Sequence, residues 1–428
     1  MRIFLVGSGG REHCLAWRLK NSSEEVEIYS SSQNAGIKKI ANYVPLDERD
    51  FSQISDFCLK SSIDLVVVGP EAPLANGIAD FLRAKGIPVF GPSKLAARIE
   101  SSKSFAKEFM QRNGIPTARF RTFTNDSIDE AFDYIKAIET PIVVKADGLA
   151  AGKGVVICQT KEEAMLVVRR MFSGEFAEAG KKVVLEEFLD GDEASILAIT
   201  DGTDYVLLPT SQDHKRILDG DRGKNTGGMG AYSPTPLVNE FTLQQIEDEI
   251  IRPTIAGMAN EGFPFVGCLY AGLMVKHNKA KVVEFNCRFG DPETQSVLPL
   301  VEGNFAKLLF SAATGKLKKE FYKGFENKFS CCVILASKGY PDDYEKGFEI
   351  TGIEEAENSG CIVFHSGTLQ VNGKIITNGG RVLGVVALGE TLQEAIEKSY
   401  FGVEHIHFEN KYFRKDIGAK GLKYLSGT

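Results

Sequence analysis

Four short aliphatic runs open the chain: IFLVG (3–7), VEIYS (26–30), DLVVVG (64–69) and IPVFG (87–91). Each is strand-length and rich in β-branched residues, and each is bounded by polar or glycine positions. The stretches between them, such as 74–85, carry helical patterning. Strands alternating with helices predict a doubly wound parallel sheet over residues 1–101. The rhythm then changes. A helix is expected over SKSFAKEFMQRNG, ended by Gly114 and Pro116. Ile142-Val143-Val144 and Val155-Val156-Ile157 flank a glycine-rich segment, so the glycines join two strands. Thr160 and Glu163 form a capping-box signal for the next helix. KVVLEEFLDGDE reads as a strand and its exit, and a long helix is expected near 242–262 with Pro253 inside it. From about 327 the chain returns to α/β patterning, with CCVILAS, RVLGVVALG and LQEAIEKSY, after a joint at 324–327. The prediction is an α/β and α+β multidomain chain: residues 1–101, a central unit 102–326 containing a smaller α/β unit at about 124–189, and a small C-terminal domain, 327–428.

Composition narrows the function classes. The 428 residues allow about three domains, and the formal net charge of −7 lacks the basic footprint that nucleic acid or an anionic membrane requires. Eight cysteines occur without C-x-x-C spacing, which predicts reduced thiols and a cytoplasmic setting. His405 and His407 fit a surface or packing role better than a metal site. Arg11 and Glu12 interrupt the N-terminal apolar run too early for a signal peptide, and no apolar run reaches membrane-spanning length.

The glycine motifs are instructive where they fail. In GSGGREH, the glycine that a dinucleotide fingerprint needs at position 12 is Glu12, and the second strand ends in Ser30-Ser31-Ser32 with no acid for a ribose diol. Gly9-Gly10 still lead into a helix N-terminus, either as a phosphate site or as a tight turn. Between 143 and 157, Gly148 and Gly152 enclose only three residues and Lys153 is followed by Gly154, so this is no P-loop; if it holds phosphate, it does so as a flap.

The strongest chemistry lies in KVVEFNCRFGDPETQ (281–295). Strand alternation puts Glu284, Asn286 and Arg288 on one face and Phe285, Cys287 and Phe289 on the other. Glu and Asn oxygens suit Mg²⁺, and Arg288 suits an anion. Asp291, Pro292 and Glu293 follow in a sharp turn. Lys145, between apolar strand neighbours, must meet an anion: a triphosphate or a buried carboxylate. Lys103 begins its helix. Glu186, Glu187, Phe188, Leu189 and Glu193 could read a purine and its ribose, or form an ordinary strand end. Residues 211–234 read as a long loop, either functional or disordered, in which Asp213, Lys215 and Arg216 could meet a small zwitterion or a phosphate. No catalytic nucleophile stands out.

The order of lysine strand, glycine hairpin, LEEFL and EFN resembles the ATP-grasp fold. RFGDPETQ (288–295) resembles the signature of the phosphoribosylamine–glycine ligase family, and GSGGREH, VGPEAPL (68–74), DHKR, NTGGMGAYSP and YFRKDIG (412–418) are similar to it as well. The resemblance covers nearly the whole chain. It implies an ATP-grasp core with a mobile lid, a single-activity form since the chain stops soon after YFRKDIG, and ligation of glycine to 5-phosphoribosylamine through glycyl phosphate in de novo purine biosynthesis. By position, Lys103 and Lys145 would contact ATP phosphates under the Gly148–Gly154 loop, including Gly152 and Lys153. Glu186, Glu187, Phe188 and Leu189 would face adenine, and Glu193 the ribose. Glu284 and Asn286 would bind Mg²⁺ or Mn²⁺, and Arg288 would act on the transferring phosphate beside Lys145. Gly9, Gly10, Asp213, Lys215, Arg216, Asp291, Pro292 and Glu293 would line the glycine and phosphoribosylamine pockets. One departure is that CLYAGLMV (268–275) lacks the second acid of many ATP-grasp enzymes. The implied partners are small molecules, with no nucleic acid or membrane; a cytoplasmic monomer is expected, in transient contact at most with other enzymes of the pathway. A relative activating bicarbonate would not need RFGDPETQ, and a nucleotide sensor would not need Glu284 and Asn286.

Overall fold

The computed structural model describes residues 1–23, 25–148, 154–175 and 180–427. The first sheet contains β1 (Arg2–Val6), β2 (Glu27–Ser30), β3 (Asn42–Tyr43), β4 (Leu65–Val68) and β5 (Val89–Phe90), all parallel, in the order β3-β2-β1-β4-β5. Both faces of β1 and β4 are buried, which is why their sequence is continuously apolar. Two details depart from the sequence pattern. β3 is an edge strand of two exposed residues and carries no apolar signal. The helix expected at 74–85 is two helices, Glu71–Ala75 and Ile78–Arg83, divided at Gly77, whose φ of +92° suits glycine.

A second, antiparallel sheet is built from β6 (Phe120–Thr124), β7 (Ile142–Ala146), β8 (Val155–Cys158) and β9 (Lys182–Glu187) in the order β6-β9-β7-β8. The Ala146 amide donates to the Gly154 carbonyl at 2.8 Å, so the glycine segment does join two antiparallel strands. This sheet and its helices keep a core of their own: Phe123, Ile142, Val144, Met171 and Leu185 pack among themselves.

The central sheet contains β10 (Asp192–Asp201) and β11 (Tyr205–Leu207). Residues 211–234 are not the long loop expected. They fold into β12 (Gln212–Asp213), β13 (Arg216–Leu218), β14 (Arg222–Asn225) and β15 (Gly230–Ser233), and β15 pairs with the C-terminal strand Phe329–Ser337. Alternating Gly, Lys and Arg residues conceal these strands because the pairing supplies what propensity does not. The long helix near 242–262 is Glu240–Ile246 and Arg252–Asn260 joined by a π-helical turn at Glu247–Ile251. Pro253 sits in the first turn after it, where its missing N–H costs no hydrogen bond. β16 (Val266–Lys276) and β17 (Lys279–Asn286) complete the central sheet, β11-β10-β16-β17. The C-terminal sheet pairs Phe329–Ser337 with Arg381–Gly389, which pairs in turn with Ile362–His365. One core runs from the first sheet into the central one, with Phe4, Val66 and Leu74 beside Ile196, Leu269 and Phe285. Another joins Ile3 and Leu5 to Phe289, Phe305, Cys332 and Phe364.

Candidate functional site

A β-bulge determines which face of β17 carries chemistry. Gly272 pairs with Glu284 and Leu273 with Val282, so Val283 is an extra residue. Before it, Ala280 and Val282 are buried; after it, Phe285, Cys287 and Phe289 are. Without the bulge Glu284 would share the core side with Val282. With it, Glu284, Asn286 and Arg288 line the opposite, half-buried face.

Glu284 is surrounded by cations from four segments. Burial alone would raise its pKa, but Lys215, Lys145, Lys103 and Arg288 together hold it below the usual carboxylate range. Among the described residues no hydrogen bond or ion pair engages the Glu284 carboxylate or the Asn286 amide, and no cluster of three His, Cys, Asp or Glu side chains stands ready for a metal. Lys103 donates to the Gly148 carbonyl at 2.9 Å. Burial lowers its pKa most, Glu284 opposes, and the net direction is down.

Lys145 realises the buried-carboxylate alternative. Its Nζ lies 3.0 Å from Glu186 Oε2 and donates to the Val283 carbonyl at 3.2 Å. Lys107, which the sequence reading passed over, contacts the same Glu186 oxygen at 3.0 Å. It lies one helical turn beyond Lys103 on Lys103–Arg112, and that spacing is the signal that could have found it. Burial lowers its pKa to about 8. Glu186 Oε1 is buried without a partner. The helix itself is capped by Ser102, and Asp147 accepts from the Ser104 amide at 3.0 Å, which ties the exit of β7 to the helix start.

The neighbouring residue Glu187 faces outward, with Arg119 at 2.6 Å and Lys281 at 3.5 Å, and Phe188 is exposed. Glu193 pairs with Lys215 at 2.7 Å. Arg216 turns away and donates to the Gly223 carbonyl of its own hairpin at 2.8 Å. Gly152 and Lys153 lie outside the described residues.

Arg288 is held between Glu71 (3.1 Å) and Glu100 (3.2 Å). The turn that follows it is locked from three sides. Asp291 meets Arg381 at 3.2 Å and accepts from Gln295 Nε2 at 2.8 Å. Pro292 packs on Gly228, where φ is +111° and a Cβ would lie 2.3 Å from Pro292 Cδ. Glu293 accepts from the Tyr270 hydroxyl at 2.9 Å, beside Ser195. Glu71, Glu100, Tyr270, Ser195 and Arg381 were not singled out from sequence, since nothing in their local spacing marks them.

The Gly9-Gly10 turn works differently from a free phosphate loop. The Gly9 amide donates to Glu12 Oε2 at 2.6 Å, and the Gly7 amide donates to Glu48 at 3.0 Å, so two carboxylates already occupy these N–H groups. Glu12, the residue that breaks the dinucleotide fingerprint, is the one that fills the helix N-terminus. At Gly10 a Cβ would lie 2.3 Å from Ser366 Oγ and 2.7 Å from Gln295 Nε2, so this glycine permits close approach of the C-terminal sheet and the 291–295 turn.

Residues 1–100, 101–294 and 330–420 match the N domain, the ATP-grasp (A) domain and the C domain of phosphoribosylglycinamide synthetase. The chain is 47% identical to the phosphoribosylamine–glycine ligase of Nostoc sp. over 422 residues, covering 98% of this chain and 99% of that one. It is 47% identical over 429 residues to the human trifunctional purine biosynthetic protein adenosine-3, covering 99% of this chain but 42% of the human protein's length. The crystal structure of phosphoribosylamine–glycine ligase from Thermotoga maritima superposes with a TM-score of 0.85 at 38% identity, covering 97% of this chain and 100% of that one. The three matched domains and the full-length relatives establish that the chain belongs to the phosphoribosylglycinamide synthetase family.

Proposed function

We propose that this chain joins glycine to 5-phosphoribosylamine at the expense of ATP, giving glycinamide ribonucleotide, ADP and phosphate, as a step of de novo purine synthesis. One observation carries the reading: four cationic side chains, Lys103, Lys145, Lys215 and Arg288, converge on a carboxylate that has no partner of its own. Such a site suits a polyphosphate and a divalent cation together. Glu284 stays ionised and Asn286 offers a neutral oxygen, so the pair fits Mg²⁺ or Mn²⁺, which would offset charge on the phosphate oxygens. Glu186 Oε1 is buried and unpartnered, and in this reading it accepts from the exocyclic amine of adenine. Glu187, Phe188 and Leu189 continue that edge, and Glu193 takes the ribose.

The chemistry needs no protein nucleophile. Glycine's carboxylate is a poor electrophile, and phosphorylation converts it to glycyl phosphate, whose carbonyl the ribosylamine attacks. Both transfers depend on positioning and on charge stabilisation. Lys145 and Arg288 stabilise the transferring phosphoryl group. Residues 124–189 form a lid whose 148–154 segment closes over the phosphates and keeps water from the acyl phosphate. Residues 1–101, the rest of 102–326, and 327–428 are the remaining domains. Gly9, Gly10, Asp213, Lys215 and the 291–293 turn line the glycine and phosphoribosylamine pockets, while Arg216 stays with its own hairpin. Every cysteine is free and buried, in keeping with a reducing cytoplasm, and among the described residues no helix is long and apolar enough to cross a membrane.

The test is direct. Protein, Mg-ATP and glycine are mixed with phosphoribosylamine generated in place, and ADP is followed. Turnover that requires both co-substrates supports the reading. ADP released equally well with bicarbonate in place of glycine points to a different carboxylate, and no ADP release points to a nucleotide-binding protein.

A further inference from the structure

We propose that a polar cavity between the first sheet and the C-terminal sheet binds the ribose hydroxyls of the acceptor and selects for them. The assignment rests on the ligase reading above and adds to it the place and the chemistry by which the sugar is read.

The cavity has a volume of about 390 Å³, which is within the range of small-molecule sites. One wall follows the carboxyl ends of β1 and β2, with Ser8, Ser31 and Glu48; the other belongs to the C-terminal sheet and its loops, with Thr368 and Asn378. The carboxyl ends of parallel strands are where open sheets of this kind collect their ligands. The walls are locked to each other. The Asn34 side-chain nitrogen donates to the Ser8 carbonyl at 3.0 Å on one side and to the His365 and Ser366 carbonyls at 2.8 and 2.9 Å on the other. The His365 amide donates to His13 Nδ1 at 2.8 Å across the same seam. The cavity is therefore a fixed feature of the seam and needs no closure to form.

Its lining argues for a neutral polyol. Apart from Leu46 and Gly367 every lining residue is polar, and none is Lys or Arg. Two carboxylates, Asp47 and Glu48, line it; Arg49 pairs with Asp47 at 2.8 Å, with its own side chain in water. A phosphate seated here meets acids and no lining cation. The turn amides that could take one are already used, Gly7 by Glu48 and Gly9 by Glu12. A sugar hydroxyl both donates and accepts, and so matches a wall of hydroxyls, amides and carboxylates. The Ser8 hydroxyl and the Asn378 amide, from opposite walls, have no hydrogen bond among the described residues, so both are open to a ligand. Gly9 follows Ser8 directly, and a Cβ on it would lie 3.6 Å from Asp291 Oδ2. The cavity thus adjoins the 291–295 turn, and a ribose in it holds its anomeric amine toward that turn.

The experiment uses the full chain, with ribose 5-phosphate and 2-deoxyribose 5-phosphate as inhibitors competing with phosphoribosylamine. In the wild type the deoxy sugar should bind at least about 10-fold more weakly, the worth of a lost hydrogen bond. The double variant Ser8→Ala/Asn378→Ala leaves no buried group unpaired, and its melting temperature should be unchanged. Its KM for phosphoribosylamine should rise roughly 10-fold with kcat and the KM for ATP held, and the gap between the two sugars should shrink to less than about threefold. Equal inhibition of the wild type by both sugars, an unchanged KM in the variant, or equal weakening of both sugars, as a phosphate site would give, would overturn the assignment. A wild-type protein that makes no product would instead overturn the ligase reading.

Discussion

The sheet β6–β9 and the 288–295 turn are built in opposite ways. The sheet β6–β9 carries its own core, and polar contacts tie it to the rest of the molecule: Lys103 to the Gly148 carbonyl, Lys107 to Glu186, Lys145 to the Val283 carbonyl and Lys281 to Glu187. The 288–295 turn is clamped by the first sheet's helix through Arg11, by the 213–228 segment through Gly228 and by the C-terminal sheet through Arg381. A self-contained unit on polar hinges can move as a body, whereas a turn gripped from three sides cannot. On the reading proposed above, the nucleotide side would lie on the self-contained unit and the acceptor side on the clamped turn.

The fixed side should show the largest effects. Glu284→Gln removes a bare carboxylate from among the converging cations while leaving shape and packing in place. Turnover should fall by about 10³-fold with the melting temperature held or raised, read by ADP release and circular dichroism. Near-normal turnover would remove Glu284 from the chemistry. Arg288→Met should come next. It leaves Glu71 and Glu100 without their shared guanidinium, and a half-buried pair broken on one side costs about 3 kcal/mol. Denaturant unfolding should report that loss, and hydrogen exchange should report it in the first, central and C-terminal sheets together. Loosening confined to the turn itself would mean that the three units are less coupled than their contacts imply.

Much of this division was legible in the sequence. Continuous apolar runs gave β1 and β4 because buried parallel strands leave nothing to alternate. The flanks of the glycine segment gave β7 and β8, since apolar runs on both sides rule out a helix start. What stayed hidden depended on pairing across long separations. The Val283 bulge is invisible until β16 lies beside β17, although it alone keeps Glu284 out of the core. The strands within 212–233 have little intrinsic strand character and exist because Phe329–Ser337 accepts β15. Lys145 had two admissible anions, and only the fold shows that Glu186 is one of them. Glu12 read as a defect in a phosphate loop, and its true role as the helix cap needed the backbone of Gly9.

Acid should weaken the fixed side selectively. His365 lies in the seam between the first and last domains, where its backbone amide donates to His13 Nδ1 at 2.8 Å. Burial, then Lys39, lowers the His365 pKa from 6.5 to about 3. Below pH 6.5 the unfolded chain therefore takes up a proton that the folded chain refuses, and stability is lost as the pH falls from 6.5 toward 3. At pH 5 the loss from this group is about 2 kcal/mol. Melting temperatures at pH 7 and pH 5 test it: the wild type should fall more steeply than His365→Gln. Parallel curves would place the acid sensitivity elsewhere.

The smallest effect belongs to the movable side, and adjacent residues of β9 make it a controlled comparison. Glu186 points inward to Lys107 and Lys145 with its carboxylate fully enclosed, while Glu187 points outward to Arg119, which is 86% exposed, and to Lys281, which is 49% exposed. Water screens the outer contacts, so Glu187→Gln should change stability by about 0–1 kcal/mol and shift the KM for ATP by less than about threefold, an effect that added salt erases. If polar hinges of this kind held the unit rigidly, the same substitution would change kcat and KM together by an order of magnitude, and the contrast between a movable and a fixed side would fail at its most exposed contact.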